Sequence, residues 1–227
     1  MNIIHHRYKT LTMRMNIKLS VFHILCILLL FTSCNNKNQI NYLPPTNASY
    51  TGENVNIRLK CGDVLAGTFT YPENINQKYP AVILITGSSA HDRDNSRPEK
   101  PLTAYRPFRQ IADKLSSNGI AVLRVDDRGV GTSKGGDINN MTSEERACDI
   151  RECLQYLKTR NEIDSSRIGL IGLSEGASIA HIIAASDKSV KLLILLSGIG
   201  SKGKEIIEFQ VKNGLIDGKK LPELLKS

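Results

Sequence analysis

The apolar positions of this 227-residue chain change period along its length. Val55, Ile57 and Leu59 alternate with polar residues, and Leu65, Gly67, Phe69 and Tyr71 do so again after a Cys61-Gly62-Asp63 turn. Period two predicts half-buried strands, and the short turn between them predicts an antiparallel hairpin. Residues 81–86 (AVILIT), 120–125 (IAVLRV) and 190–196 (VKLLILL) are instead nearly continuous apolar runs, the pattern of strands covered on both faces. Between them the period lengthens. Phe108, Ile111, Ala112 and Leu115 share one helical face that Gly119 ends. Ala147, Ile150, Leu154 and Leu157 form a second stripe, opened by the capping box Thr142-Ser143-Glu144-Glu145. Ile206, Ile207, Phe209 and Val211 suggest one amphipathic helix from Lys202 onward, and 221–225 a helical end. A hairpin followed by alternating strands and helices predicts an α/β fold with a mostly parallel, doubly wound sheet. Ligands of such sheets sit beyond the carboxyl ends of the strands, here the loops after Thr86, Val125 and Gly172.

The last of these loops carries the sharpest chemical signal. Ile168, Leu170 and Ile171 form a short apolar run that Gly172-Leu173-Ser174-Glu175-Gly176 interrupts, and the small residues 177–185 then read as a helix. Strand, tight turn and helix with a serine at the tip is the context a G-x-S-x-G nucleophile elbow requires. The glycines have a physical reason: side chains there would clash as strand and helix close up, while the serine sits at a strained backbone angle. The hydroxyl of Ser174 would stand above the sheet, next to a helix N-terminus where negative charge is favoured.

Composition narrows the alternatives. Lysine and arginine number 30 against 22 acids, for a net charge of +8. Residues 1–33 contribute Arg7, Lys9, Arg14 and Lys18 with no acid, so the rest of the chain has a mixed surface and no nucleic-acid footprint. Lys18, the apolar run at 24–31 and Thr32-Ser33-Cys34 describe a secretory signal, too short for a membrane span, with Cys34 placed for lipid acylation. The organisation expected is a lipoprotein signal peptide at 1–33, a polar tether at 34–50, the α/β core at 51–200 and the start of a helical cap at 201–227. The chain would then be exported and held to a bacterial membrane by its lipid. Cys61, Cys148 and Cys153 are odd in number and read as small buried hydrophobes, with neither disulfide nor metal implied. Gly129-Val130-Gly131 is not a dinucleotide fingerprint, because its third glycine is misplaced and no helix opens there. His91-Asp92-Arg93-Asp94 reads as a salt-bridged loop at the site mouth in preference to a metal cluster.

Three stretches together resemble the α/β-hydrolase fold, and within it the EstD-like bacterial esterases and the serine-aminopeptidase-like hydrolases. They are residues 84–94 (LITGSSAHDRD), 119–133 (GIAVLRVDDRGVGTS) and 167–176 (RIGLIGLSEG). The resemblance implies that Ser174 is an acyl-accepting nucleophile, with the backbone N–H of Glu175 as one oxyanion donor. The second donor would come from the loop after Thr86, with Ser88 favoured and Ser89 the alternative. Asp126, Arg128, Gly129, Gly131 and Ser133 match a turn that braces neighbouring loops. The implied activity is hydrolysis of carboxylic esters through an acyl-enzyme, without cofactor or metal, on a small acyl ester or short peptide substrate. A peptidase of the same fold, or a non-catalytic lipoprotein that keeps the scaffold, are the alternatives. In this fold an acid and then a histidine follow the serine. The only histidine after Ser174 is His181, seven residues along the same helix and about 10 Å away at 1.5 Å per residue. No later acid ends a recognisable strand. The triad Asp and His are therefore expected to be missing from this chain, as from one shortened at its C-terminus, and its turnover is expected to be impaired.

Overall fold

The computed structural model describes residues 40–73, 77–96, 105–215, 217 and 219. The signal segment, Cys34 and the helical end at 221–225 lie outside them. The chain divides into two units, Met1–Asn41 and Tyr42–Ser227, and the second carries the sheet.

Alternation makes the hairpin: β1 (Tyr50–Arg58) pairs antiparallel with β2 (Val64–Pro72), turning at Gly62 with φ +98°. The continuous apolar runs become β3 (Tyr79–Ile85), β4 (Ala121–Val125) and β6 (Val190–Leu196). The elbow strand, β5 (Ile163–Leu173), begins five residues before its apolar run. The six strands lie in the order β1-β2-β4-β3-β5-β6; β3 to β6 are mutually parallel, and β2 joins β4 antiparallel. The sheet is thus mostly parallel with an antiparallel N-terminal hairpin, as the sequence pattern predicts.

Helices cover both faces. α1 (Pro107–Ser116) starts on a proline, where the missing N–H costs nothing, and places Phe108 and Ala112 against Val82, Leu84, Val122 and Ile171. α2 (Ser143–Thr159) opens with the predicted capping box, Thr142 and Glu145 each bonding the other's backbone N–H. Its buried Leu154 and Leu157 join Ile179 and Ile183 of α3 (Glu175–Ser186) over Ile83, Leu123 and Leu170 on the opposite face. Burying one such side chain stabilises by roughly 1.5–3 kcal/mol. Alternate residues of β3 and β4 therefore serve two separate cores, which is why their runs are continuous. β6 and α4 (Gly203–Lys212) differ: β6 has no fully buried residue, and none is buried in α4. No helix among the described residues is long and apolar enough to cross a membrane.

Two expectations need correction. Cys153 is buried and burial pushes its thiol well up, but Cys61 and Cys148 are exposed. Cys61 sits at the hairpin turn. Cys148, five residues before Cys153, falls on the outer face of α2 because five residues advance a helix by well over one turn. The second correction concerns the tether, whose residues from 42 onward belong to the body. The Tyr42 ring lies 4.3 Å from the Arg93 guanidinium, Leu43 O accepts from Arg109 Nη2 at 2.7 Å, and Tyr50 already opens β1.

Candidate active site

The loops expected to matter leave β3, β4 and β5 at one end of the sheet. Ser174 follows β5 with φ +54° and ψ −118°, a region side-chain-bearing residues rarely occupy. The strain is held by its surroundings. Ser174 N donates to Leu196 O at 2.8 Å, and Ala177 N donates to Ser174 O at 3.0 Å. A Cβ at Gly172 would strike the Gly176 carbonyl, and one at Gly176 would strike the carbonyls of Ile85 and Thr86. Strand, turn and helix can close only because both positions are glycine. Ser174 occupies the N-cap position of α3, yet its side chain makes no capping hydrogen bond. It therefore lacks the ordinary role of a serine at a helix start.

Residues 87–89 lie against this turn. A Cβ on Gly87 would sit 3.3 Å from Ser174 Cβ and 3.9 Å from its Oγ. Ser88 and Ser89 line an open cleft of about 750 Å³, together with Thr142, Ser143, Arg146 and Glu175. Ser89 has φ +73°, so the loop turns sharply there. Gly87, which precedes Ser88, thus lies against Ser174, while Ser88, Ser89 and Glu175 share the cleft at the carboxyl end of the sheet.

Asp127, at the end of β4, ties the same loop down. It accepts from Thr86 Oγ1 at 3.0 Å and from His91 N at 2.9 Å. Burial raises its carboxyl above the ordinary 3.8, against the opposing pull of Arg146 and of these hydrogen bonds. Arg146 of α2, buried to 5% exposure, donates to Glu175 Oε2, Thr86 Oγ1 and Gly87 O at 3.0, 3.2 and 3.0 Å. Neither Arg146 nor Asp127 stood out in the sequence as part of this site. Arg146 is one of several charged residues flanking an apolar stripe, and only the packing of α2 against β3 turns it inward.

The neighbouring turn is a brace, as its residues imply. Asp126 holds Arg93 through Nε at 2.9 Å and Nη2 at 2.7 Å, all of it buried. Ser133 Oγ donates to Asp126 O and accepts from Ala66 N, each at 2.8 Å. Arg128 bonds Asp149 and Asp63, and the Asp149 hydrogen bonds push its pKa up. Gly129 and Gly131 have φ +70° and +56°. Asp94 pairs with the fully buried Arg124 and with Arg106; burial, with Arg93 nearby, lowers Arg124 to about 10, so it stays charged at neutral pH. Arginines thus engage the carboxylates of Asp94 and Asp126, while Asp92 caps its own loop through Asp94 N and Ser96 N. This matches the salt-bridged reading of residues 91–94. His91 Nε2 lies 2.7 Å from Ser88 O, and His181 is exposed on α3.

Comparison with known proteins agrees with this fold. Residues 104–224 match the family model described as serine aminopeptidase, S33. A putative hydrolase of Bacillus subtilis is 28% identical over 137 residues, 56% of this chain and 46% of that protein. Among solved structures, an esterase of Pyrococcus furiosus superposes with a TM-score of 0.59 at 21% identity, over 82% of this chain and 63% of its own. An acetyl xylan esterase from a Paenibacillus species gives 0.59 at 22% identity, over 76% and 57%. At these identities the structural likeness concerns the α/β-hydrolase fold. The chain spans less than half the length of the curated relatives it matches.

Proposed function

The chain belongs to the serine aminopeptidase, S33, family of α/β hydrolases, and on that premise we propose that it attacks carboxylic esters through Ser174. The observation that carries the reading is the uncapped serine at φ +54°, held by two obligatory glycines beside a second loop. Attack by Ser174 Oγ on the ester carbonyl forms the acyl–oxygen bond. The carbonyl oxygen takes up negative charge, and the N–H groups of Glu175 and Ser88 stabilise it. Collapse breaks the bond to the leaving oxygen and expels the alcohol, which carries away the proton lost by the serine, and water then cleaves the acyl–serine bond to release the acid and restore the hydroxyl. The hydroxyl needs a base to take its proton. His181 is exposed on the far turns of α3 and does not supply one.

The carboxylate nearest the elbow, Glu175, is held by Arg146 and by Ser143 Oγ at 2.7 Å, so it is not open to pair with a substrate amino terminus, which favours esters; the exposed Glu144, which also lines the cleft, is the carboxylate left to such a group. A fluorophosphonate probe should label the protein, and Ser174→Ala should abolish labelling. Acyl esters such as p-nitrophenyl acetate should be cleaved in preference to aminoacyl amides. An unlabelled wild-type protein would overturn the serine mechanism, and preference for aminoacyl amides would favour a peptidase.

A further inference from the structure

The buried guanidinium of Arg146 touches both loops that flank Ser174. Nη1 reaches the first residue of α3 through Glu175 Oε2, and Nη2 reaches the loop after β3 through Gly87 O and Thr86 Oγ1. We propose that Arg146 is a positioning residue that sets the two candidate oxyanion donors in place. The proposal rests on the reading of Ser174 as nucleophile and adds to it the group that holds the opposite wall.

The argument is geometric. A peptide unit is planar and trans, so its carbonyl and the following N–H point to opposite sides. Arg146 captures the Gly87 carbonyl, which aims the Ser88 N–H away from the guanidinium. Gly87 is the residue whose missing Cβ leaves room beside Ser174 Cβ. A glycine here is free to rotate its peptide, so something outside the loop must choose the orientation. The next peptide is chosen in the same way, because the Ser88 carbonyl lies 2.7 Å from His91 Nε2. The ends of the loop are tied by Asp127, through Thr86 Oγ1 and His91 N. On the other side Glu175 is gripped at both oxygens, by Arg146 and by Ser143. A planar fork can serve both loops at once, whereas a lysine ammonium is a point charge that reaches them one at a time. Asp127 Oδ1, 3.7 Å from Nη2, lies beside the charge that this arrangement buries.

The test compares wild type, Arg146→Met, Arg146→Lys and Glu175→Gln with one fluorophosphonate probe, and solves the crystal structure of the Met variant. Loss of an oriented oxyanion donor costs about 100- to 1,000-fold in rate. The maximal labelling rate of Arg146→Met should therefore fall about 100-fold with the probe's KI unchanged. Arg146→Lys should recover part of the loss, and Glu175→Gln should lose about tenfold. In the Met variant the Gly87–Ser88 peptide should be found turned. A folded Met variant with unchanged maximal rate and an unturned peptide would overturn the proposal. If that variant does not fold, an unchanged rate in Glu175→Gln would do so. Failure of the wild type to label would instead sink the nucleophile reading, while the orientation of the peptide in the variant crystals still judges Arg146.

Discussion

β3 and β6 are nearly interchangeable as sequence, AVILI against LLILL, yet the structure treats them differently. Ile83 and Leu123, at the centre of the sheet, are 0% exposed, whereas Leu192 and Ile194 of β6 are 52% and 39% exposed. The difference is position. β3 lies between β4 and β5 with α1 on one face and α2 and α3 on the other, while among the described residues β6 is bonded only along its β5 edge. α4 follows the same division, leaving Phe209 61% exposed. A continuous apolar run states that a strand suits cover on both faces; it does not state that cover is present.

The comparison can be broken by substitution. The largest effect should be at the centre, where Leu123→Ala removes a side chain with no room to relax and should cost about 2–5 kcal/mol. Leu192→Ala should cost under about 1 kcal/mol, as for surface positions. Urea denaturation checks both, and equal losses would mean that β6 is as well packed as β4 in solution. The next effect is on association. An exposed apolar edge strand is a template for pairing with another chain. Leu192→Lys with Ile194→Lys should lower concentration-dependent self-association in sedimentation velocity and reduce dye binding to apolar surface, with little change in stability. If association is unaltered, the edge of β6 is not its source.

The smallest effect belongs to Asp127, at the carboxyl end of the sheet. Because burial raises the Asp127 carboxyl in the folded state, folding favours its protonated form. That contribution is fully present below the ordinary 3.8 and is lost as pH rises through the raised value. Asp127→Asn should therefore gain stability relative to wild type as pH climbs across that interval and differ little below it. A stability difference flat with pH would show that Arg146 and the hydrogen bonds to Asp127 cancel the cost of its burial.

Much of the candidate site could be read along the chain because its constraints are local. The elbow needs Gly172 and Gly176 within four residues of each other, and the clash avoided at Gly172 arises where β5 and α3 meet, although the one avoided at Gly176 is with the distant carbonyls of Ile85 and Thr86. The capping box of α2 and the turn at Gly62 are local for the same reason. Arg146 and Asp127 were not legible. They reach Thr86 and Glu175 across intervals of 29 to 60 residues, and no pattern in a single sequence encodes which charged residue turns inward. Cys61 and Cys148 illustrate the converse, since residue type suggested burial and placement left them in solvent.

The sequence by itself determined the elements, their order, the mixed sheet and the serine at the tip of its turn, because periodicity and close backbone approach act over a few residues. Tertiary structure alone decided which apolar strand is covered, which cysteine is buried and which arginine spans the two loops beside Ser174. Those outcomes depend on neighbours brought together from distant parts of the chain, where burial and charge pairing are settled jointly.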